Sequence, residues 1–239
     1  MKELTTFRTF LLGLFFVTGM FVLGYLLSQT IIQYKEYERT IRVKGLSERE
    51  YPANIVIWPI QYTEASNDLT QLYQSLETTA ETIRNFLQVK GMQAEEISVS
   101  TPIITDKLAQ RYGNSGGAEF RYTASQTVTV YSENIDLVRE AMRSLSELGK
   151  QGIVFSGDEY TNLTEYLYTE LNTIKPEMIE EATTKAREVA EKFAADSNSE
   201  LGKIKTASQG QFSISARDKN NPHIKKIRVV STIEYYLSD

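Results

Sequence analysis

Between Phe10 and Leu27 the chain runs FLLGLFFVTGMFVLGYLL, eighteen residues without a charge, and past it the apolar positions break into short periodic stretches. A run of that length spans a bilayer with little tilt. No polar face interrupts it, as one would in a helix half-buried in a soluble core. A cleaved signal peptide has a shorter apolar region, roughly 7–15 residues, and an A-x-A-like exit, whereas the small-residue exits here, Gly24 and Ser28, are poor. Residues 1–28 therefore read as an N-terminal transmembrane anchor or uncleaved signal. Residues 29–39 read as a polar juxtamembrane connector and 40–239 as one body, with no Pro- or Ser-rich linker to divide it.

In that body Ile41, Val43 and Gly45 alternate with Arg42 and Lys44, the period of a half-buried strand. A second strand is predicted from about Ala53 to Thr63, with Pro52 at its start, where a missing N–H is tolerated. Leu69, Leu72, Tyr73, Leu76, Ile83, Phe86 and Leu87 share one helical face, with Ser66 or Asn67 as N-cap and Gly91 past the end. Ile97, Val99 and Thr101 begin a strand, Gly113 to Gly117 supplies a hairpin loop, and Phe120 to Tyr131 returns as a strand. A second helix is predicted from Asn134 to Leu148, with Ile135, Val138, Met142 and Leu145 inward, Ser132 or Glu133 near its start and Gly149 as its stop. Tyr160 to Leu171 alternates as a strand, Leu163, Leu167 and Leu171 on one face and Tyr166 and Tyr168 on the other. The third helix is predicted to start near Pro176 and to turn Met178, Ala182, Ala186, Val189, Ala190 and Phe193 inward. Strands over 203–214 and 224–237, joined by a basic loop, complete the chain. Neighbouring strands joined by short connections predict an α+β fold of mostly antiparallel sheets packed by three helices, not a doubly wound one.

Composition removes several function classes. The absence of cysteine excludes thiol catalysis, disulfides and thiolate metal sites, and a single histidine, His223, excludes multi-histidine metal sites. With 26 Lys and Arg against 31 Asp and Glu, the net charge of -5 repels nucleic acid, and no nucleic-acid partner is expected. Charge does not orient the anchor, since Lys2 and Arg8 on one side are nearly balanced by Lys35, Arg39, Arg42 and Lys44 on the other. A long domain translocates largely regardless of its charges, so a body outside the cytoplasm, periplasmic or extracellular, is compatible with this count.

The element order and several strings resemble the SIMPL domain family, also called DUF541. They are Ile41-Arg42-Val43-Lys44-Gly45 with the strand led by Pro52, Gly91-Met92-Gln93 through Ile97 to Pro102, and Tyr122 to Val130. The Ala-rich helix with Ala182, Ala186, Arg187 and Ala190, then Leu201-Gly202-Lys203-Ile204, then Val229 to Leu237 complete the series. The likeness covers about residues 40–238, and its specificity lies in the order of segments. It implies an exported or envelope-associated bacterial protein, in a family where some members form ring-like, channel-like oligomers, and it implies no catalytic residues. The chain departs from the commoner pattern in Trp58-Pro59 and in its long apolar segment.

Each local hint of chemistry has a plainer reading. Gly113 to Gly117 lacks the Lys-Ser/Thr and the strand-to-helix setting of a phosphate cradle. Asp158, Glu159 and Glu165 match no EF-hand spacing and read as a solvated carboxylate face. Asn162-Leu163-Thr164 has the glycosylation pattern, which means little without a eukaryotic secretory context. His223 stands among Arg217, Lys219, Lys225 and Lys226, cations that disfavour its protonation, and no nucleophile motif accompanies it. These five residues form a candidate partner-binding loop, with edge-strand protection as the alternative. Fourteen tyrosines against one tryptophan leave two readings open for Tyr160, Tyr166, Tyr168 and Tyr235: an oligomer interface, or the ordinary fit of tyrosine to strands.

The expectation is thus a non-enzymatic anchored protein, without cofactor or metal, that associates with itself and meets the membrane through residues 10–27. Its alternative is a monomeric extracytoplasmic module that binds a peptide or small ligand of chemistry the sequence does not define.

Overall fold

The first element, α1 (Lys2–Glu36), contains the apolar run. In this computed structural model, which describes residues 2–36, 39–109, 119–156 and 163–238, the stretch Gly13–Ile31 is the one helix long and apolar enough to cross a membrane, with a mean hydropathy of 1.7. None of that stretch is buried within the protein. Its length and composition suit an anchor and a signal sequence alike.

Beyond α1 the described residues form an α+β fold with antiparallel sheets and four α-helices rather than three. Two compact units share it, one of residues 1–48, 174–212 and 228–239, the other of 49–173 and 213–227.

The second unit is built on β2 (Ile55–Ser66), paired along its length with β5 (Tyr122–Ser132) from Val56↔Ser132 to Ser66↔Tyr122. Two short strands, β3 (Ile97–Val99) and β4 (Ile103–Asp106), pair the far side of β5. The predicted start at Ala53 moves to Ile55, and Pro52 closes β1 (Thr40–Pro52) instead of opening β2. Pro59 sits inside β2 at no cost to this ladder. The N–H of Thr63 and the C=O of Gln61 point away from β5, toward Val154 and Ser156, so by the strand period the nitrogen of Pro59 faces that same side. There β6 pairs only Ile55 to Ile57 and the next bridge lies at Tyr62↔Phe155, so proline occupies the gap between them.

Above this sheet lies α2 (Leu69–Val89), whose Leu72, Leu76, Ala80, Ile83 and Leu87 are buried. Leu69 and Tyr73, expected inward, are exposed. The N-cap is Asp68, whose carboxylate accepts from Gln71 N at 2.9 Å. Ser66 and Asn67 are already engaged: the Ser66 hydroxyl accepts from Asp68 N and Asn67 Oδ1 accepts from Arg121 N. Gly91, at φ +101°, ends the helix as expected.

The helix predicted over 134–148 is two helices, α3 (Ile135–Arg143), capped by Asn134, and α4 (Ser146–Gly149). From Ser144 to Leu148 backbone bonds reach back three residues, as in Leu145 N to Met142 O and Leu148 N to Leu145 O, and this tightening turns Leu148 into the core. Of the strand predicted over 160–171, residues 160–162 lie outside the described residues, and the described part forms β6 (Glu165–Leu167). Mutual hydrogen bonds between the Asn54 side chain and Thr169 end its pairing, and Leu171 begins α5 (Leu171–Asp196). Pro176 accordingly lies within α5 rather than at its start.

In the first unit, α5 turns Met178, Ala182, Ala186, Ala190 and Ala194 inward at intervals of four. Ala186 and Ala190 pack with Val43 of β1 and with Ile233 and Tyr235 of β9 (Ile224–Ser238). Val189 and Phe193 are exposed, against expectation. An alanine row lets backbones approach so closely that a single row fills the seam. The sheet order is β1-β9-β7, with β7 (Glu200–Gln209) at one end and β8 (Ser213–Ala216) also paired to β9. The strand predicted over 203–214 is thus β7 and β8, separated at Gly210 to Phe212.

Candidate functional site

Where β1 ends, α3 begins and β9 is about to start, the second unit has a cleft of about 450 Å³ lined by Ala53, Glu133, Asn134, Asp136 and His223. Ala53 N donates to the His223 carbonyl at 2.7 Å, which fixes the turn before β9. Asn134 is held from both sides: its N–H donates to Ser132 Oγ at 3.0 Å, and its side chain accepts from Leu137 N at 3.1 Å. The first turn of α3 therefore presents Glu133 and Asp136 at the cleft.

The His223 ring meets Tyr166 edge-on, centroids 6.0 Å apart. Burial, aided by the guanidinium of Arg139, holds the imidazole below its ordinary pKa, and the carboxylate of Asp136 only partly offsets this. A neutral imidazole beside two carboxylates offers acceptors to an ammonium or N–H donor. Among the described residues no group of three or more His, Cys, Asp or Glu side chains is placed to hold a metal ion.

The structure disperses the rest of the predicted basic loop. Arg217 pairs with Asp218 at 2.9 Å and with Glu50 at 3.7 Å. Asp218, also bonded by Asn220 and Asn221, is pushed down to about 2, chiefly by the Arg217 guanidinium. Arg217 is thus ion-paired within the unit. Burial lowers the Lys225 ammonium, with Glu165 opposing. Lys219 is exposed and Lys226 half-buried, and neither lines the cleft.

The tyrosines face inward more than their strand pattern suggested. Tyr166 is buried, its hydroxyl near Met142 Sδ, and burial raises its pKa. Tyr168 stacks on Tyr51 at 5.4 Å, and Tyr235 is a core residue. Tyr160, with Asp158, Glu159, Asn162 and the Gly113 to Gly117 loop, lies outside the described residues. Sequence reasoning missed Asp136 and the carboxylate wall. Its only trace was a polar helix start directly after a strand, where Glu133 had been weighed solely as a cap.

Compared with known protein families, residues 41–229 match the SIMPL family, described as a protein of unknown function (DUF541). The chain belongs to that family. No curated protein sequence matches it.

Proposed function

We propose that this SIMPL protein is a non-enzymatic, single-pass membrane protein whose body lies outside the cytoplasm and assembles into a homo-oligomer with a role in cell envelope integrity or stress tolerance. The apolar helix supports the anchoring, and the family resemblance supports the setting. One observation carries the assembly: β7 is a terminal strand, exposed from Lys203 to Gln209. Its first half is guarded by two irregularities and by Lys203 and Lys205, devices that discourage edge pairing. Its second half, Thr206 to Gln209, is regular and uncharged. Gly210 N donates to Val230 O at 2.8 Å, and the register Ser208↔Thr232 continues that alternation, so the N–H groups of Ala207 and Gln209 face away from β9. With β1 at the opposite end of the same order, pairing β7 of one copy on β1 of the next is head-to-tail, the type of contact that closes into a ring.

Light scattering coupled to size exclusion on the full chain in mild detergent is expected to give one discrete high-order species. Ala207→Pro, which removes an outward N–H and spares the β9 ladder, is expected to reduce it to monomer with unchanged circular dichroism. A wild-type monomer at tens of micromolar sinks the reading.

The His223 cleft favours a second reading, a monomeric module that takes a cationic or N–H-rich group of a peptide or small ligand. Glu133→Lys with Asp136→Lys is then expected to abolish partner capture from envelope extracts, and unchanged capture removes the idea.

A further inference from the structure

Tyr235 is 2 % exposed, and among the described residues its Oη is the buried side-chain polar atom left without a hydrogen-bond partner. Buried hydroxyls almost always have a hydrogen-bond partner, so this one calls for a partner from outside the fold. The same tyrosine lines a cleft of about 460 Å³ between α5 and β7, with Arg187, Glu191 and Lys203 around it.

The local sequence builds this cleft. Ala186 and Ala190 are small enough to admit the Tyr235 ring beneath α5, and Arg187 and Glu191 follow them on the adjoining helical row. Across from them the register jumps from Leu201↔Leu237 to Ile204↔Tyr235, so that Gly202 and Lys203 together oppose Tyr236. Such a bulge re-aims a side chain, here Lys203. Gly202 is required at it, because a Cβ there would stand 2.9 Å from the Tyr236 carbonyl oxygen. Arg187, Glu191 and Lys203 form no ion pair with one another among the described residues.

We propose that this cleft binds an anionic oxygen group, a phosphate or phosphodiester, with Tyr235 Oη, the Arg187 guanidinium and the Lys203 ammonium as donors. Two cations against one carboxylate suit a single negative charge. A lipid headgroup and a free anion share this chemistry. Chain connectivity brings the headgroup within reach, since Leu237 N donates to the carbonyl of Arg39 at 2.8 Å, three residues past the end of α1.

The test uses the full chain, first in detergent, with inorganic phosphate titrated against chloride at matched ionic strength and thermal unfolding as the readout. It is then repeated in nanodiscs of phosphatidylcholine with and without phosphatidylglycerol. For a free anion, phosphate raises Tm in both kinds of disc. For a headgroup, phosphatidylglycerol raises Tm and phosphate adds nothing. In either case Tyr235→Phe, at least as stable as wild type without ligand because it removes the unpartnered hydroxyl, weakens the response about tenfold, and Arg187→Gln and Lys203→Gln weaken it too. These two exposed positions carry the test if the phenylalanine variant fails to fold. No rise with either probe, or equal rises in wild type and all variants, overturns the proposal.

Discussion

Gly45→Ala is expected to be the most damaging conservative substitution in the first unit. A Cβ on residue 45 would lie 1.8 Å from the Ala182 carbonyl oxygen and 2.5 Å from Ala186 N, both backbone atoms of α5. Neither can swing aside as a side chain does, so the whole helix must lift from β1. Lifting it opens the row of Ala182, Ala186 and Ala190, all fully buried, and separates Val43 from that row. It also strains the Ser47 hydroxyl's hydrogen bond to Glu181 Oε2, now 2.8 Å. Overpacking costs typically 1–3 kcal/mol where side chains can yield, and a backbone clash belongs at or above the upper end. Thermal unfolding of the full chain should show a Tm lowered by roughly 10 °C. Gly149→Ala, where an added Cβ meets nothing within 4 Å, should leave Tm unchanged. Equal melting of Gly45→Ala and wild type would show that α5 does not rest on β1 in this way.

The same stripe shows why some elements were legible in the sequence and others were not. The period of four in Met178, Ala182, Ala186 and Ala190 announced α5 and its inner face, because helical spacing is a local property. How narrow the buried row would be depends on how close the sheet comes, which is a tertiary property, and so Val189 and Phe193 were misplaced. Likewise α2 was evident from its leucines, but the choice of Asp68 over Ser66 or Asn67 as cap depended on Arg121, far along the chain, claiming Asn67. The β6 pattern of alternating leucines and tyrosines ran on past the strand because nothing local records the Asn54 and Thr169 bonds that end it. Candidate sites suffered most. His223 stood out by being the only histidine, yet its cleft needs Glu133 and Asp136 from a segment about ninety residues earlier in sequence. Arg217 read as a free cation until Glu50 and Asp218 met it.

Stability at alkaline pH should hinge on Tyr62, the largest fully buried side chain of the second unit. Its phenol stands within hydrogen-bond distance of the Leu76 carbonyl oxygen and of Gln126 Oε1, and the Gln126 amide is in turn tied to Ser100 O at 2.7 Å. Burial, reinforced by the nearby Glu64 carboxylate, pushes Tyr62 from 10.0 up to about 12. A pKa raised in the folded state means that unfolding releases the proton more readily. The stabilisation is therefore fully present below pH 10 and is lost progressively as pH climbs toward 12. The loss is on the order of 2 kcal/mol by the upper end of that window. Urea unfolding across the window should show wild type falling steeply. Tyr62→Phe, weaker at neutral pH by about 1–2 kcal/mol for the acceptor it leaves without its one donated hydrogen bond, should fall less, retaining only the slopes contributed by residues such as Tyr166 and Tyr168, which burial also raises. The difference between the two curves isolates Tyr62, and parallel curves would mean that its hydroxyl ionises as freely in the folded protein as in the unfolded chain.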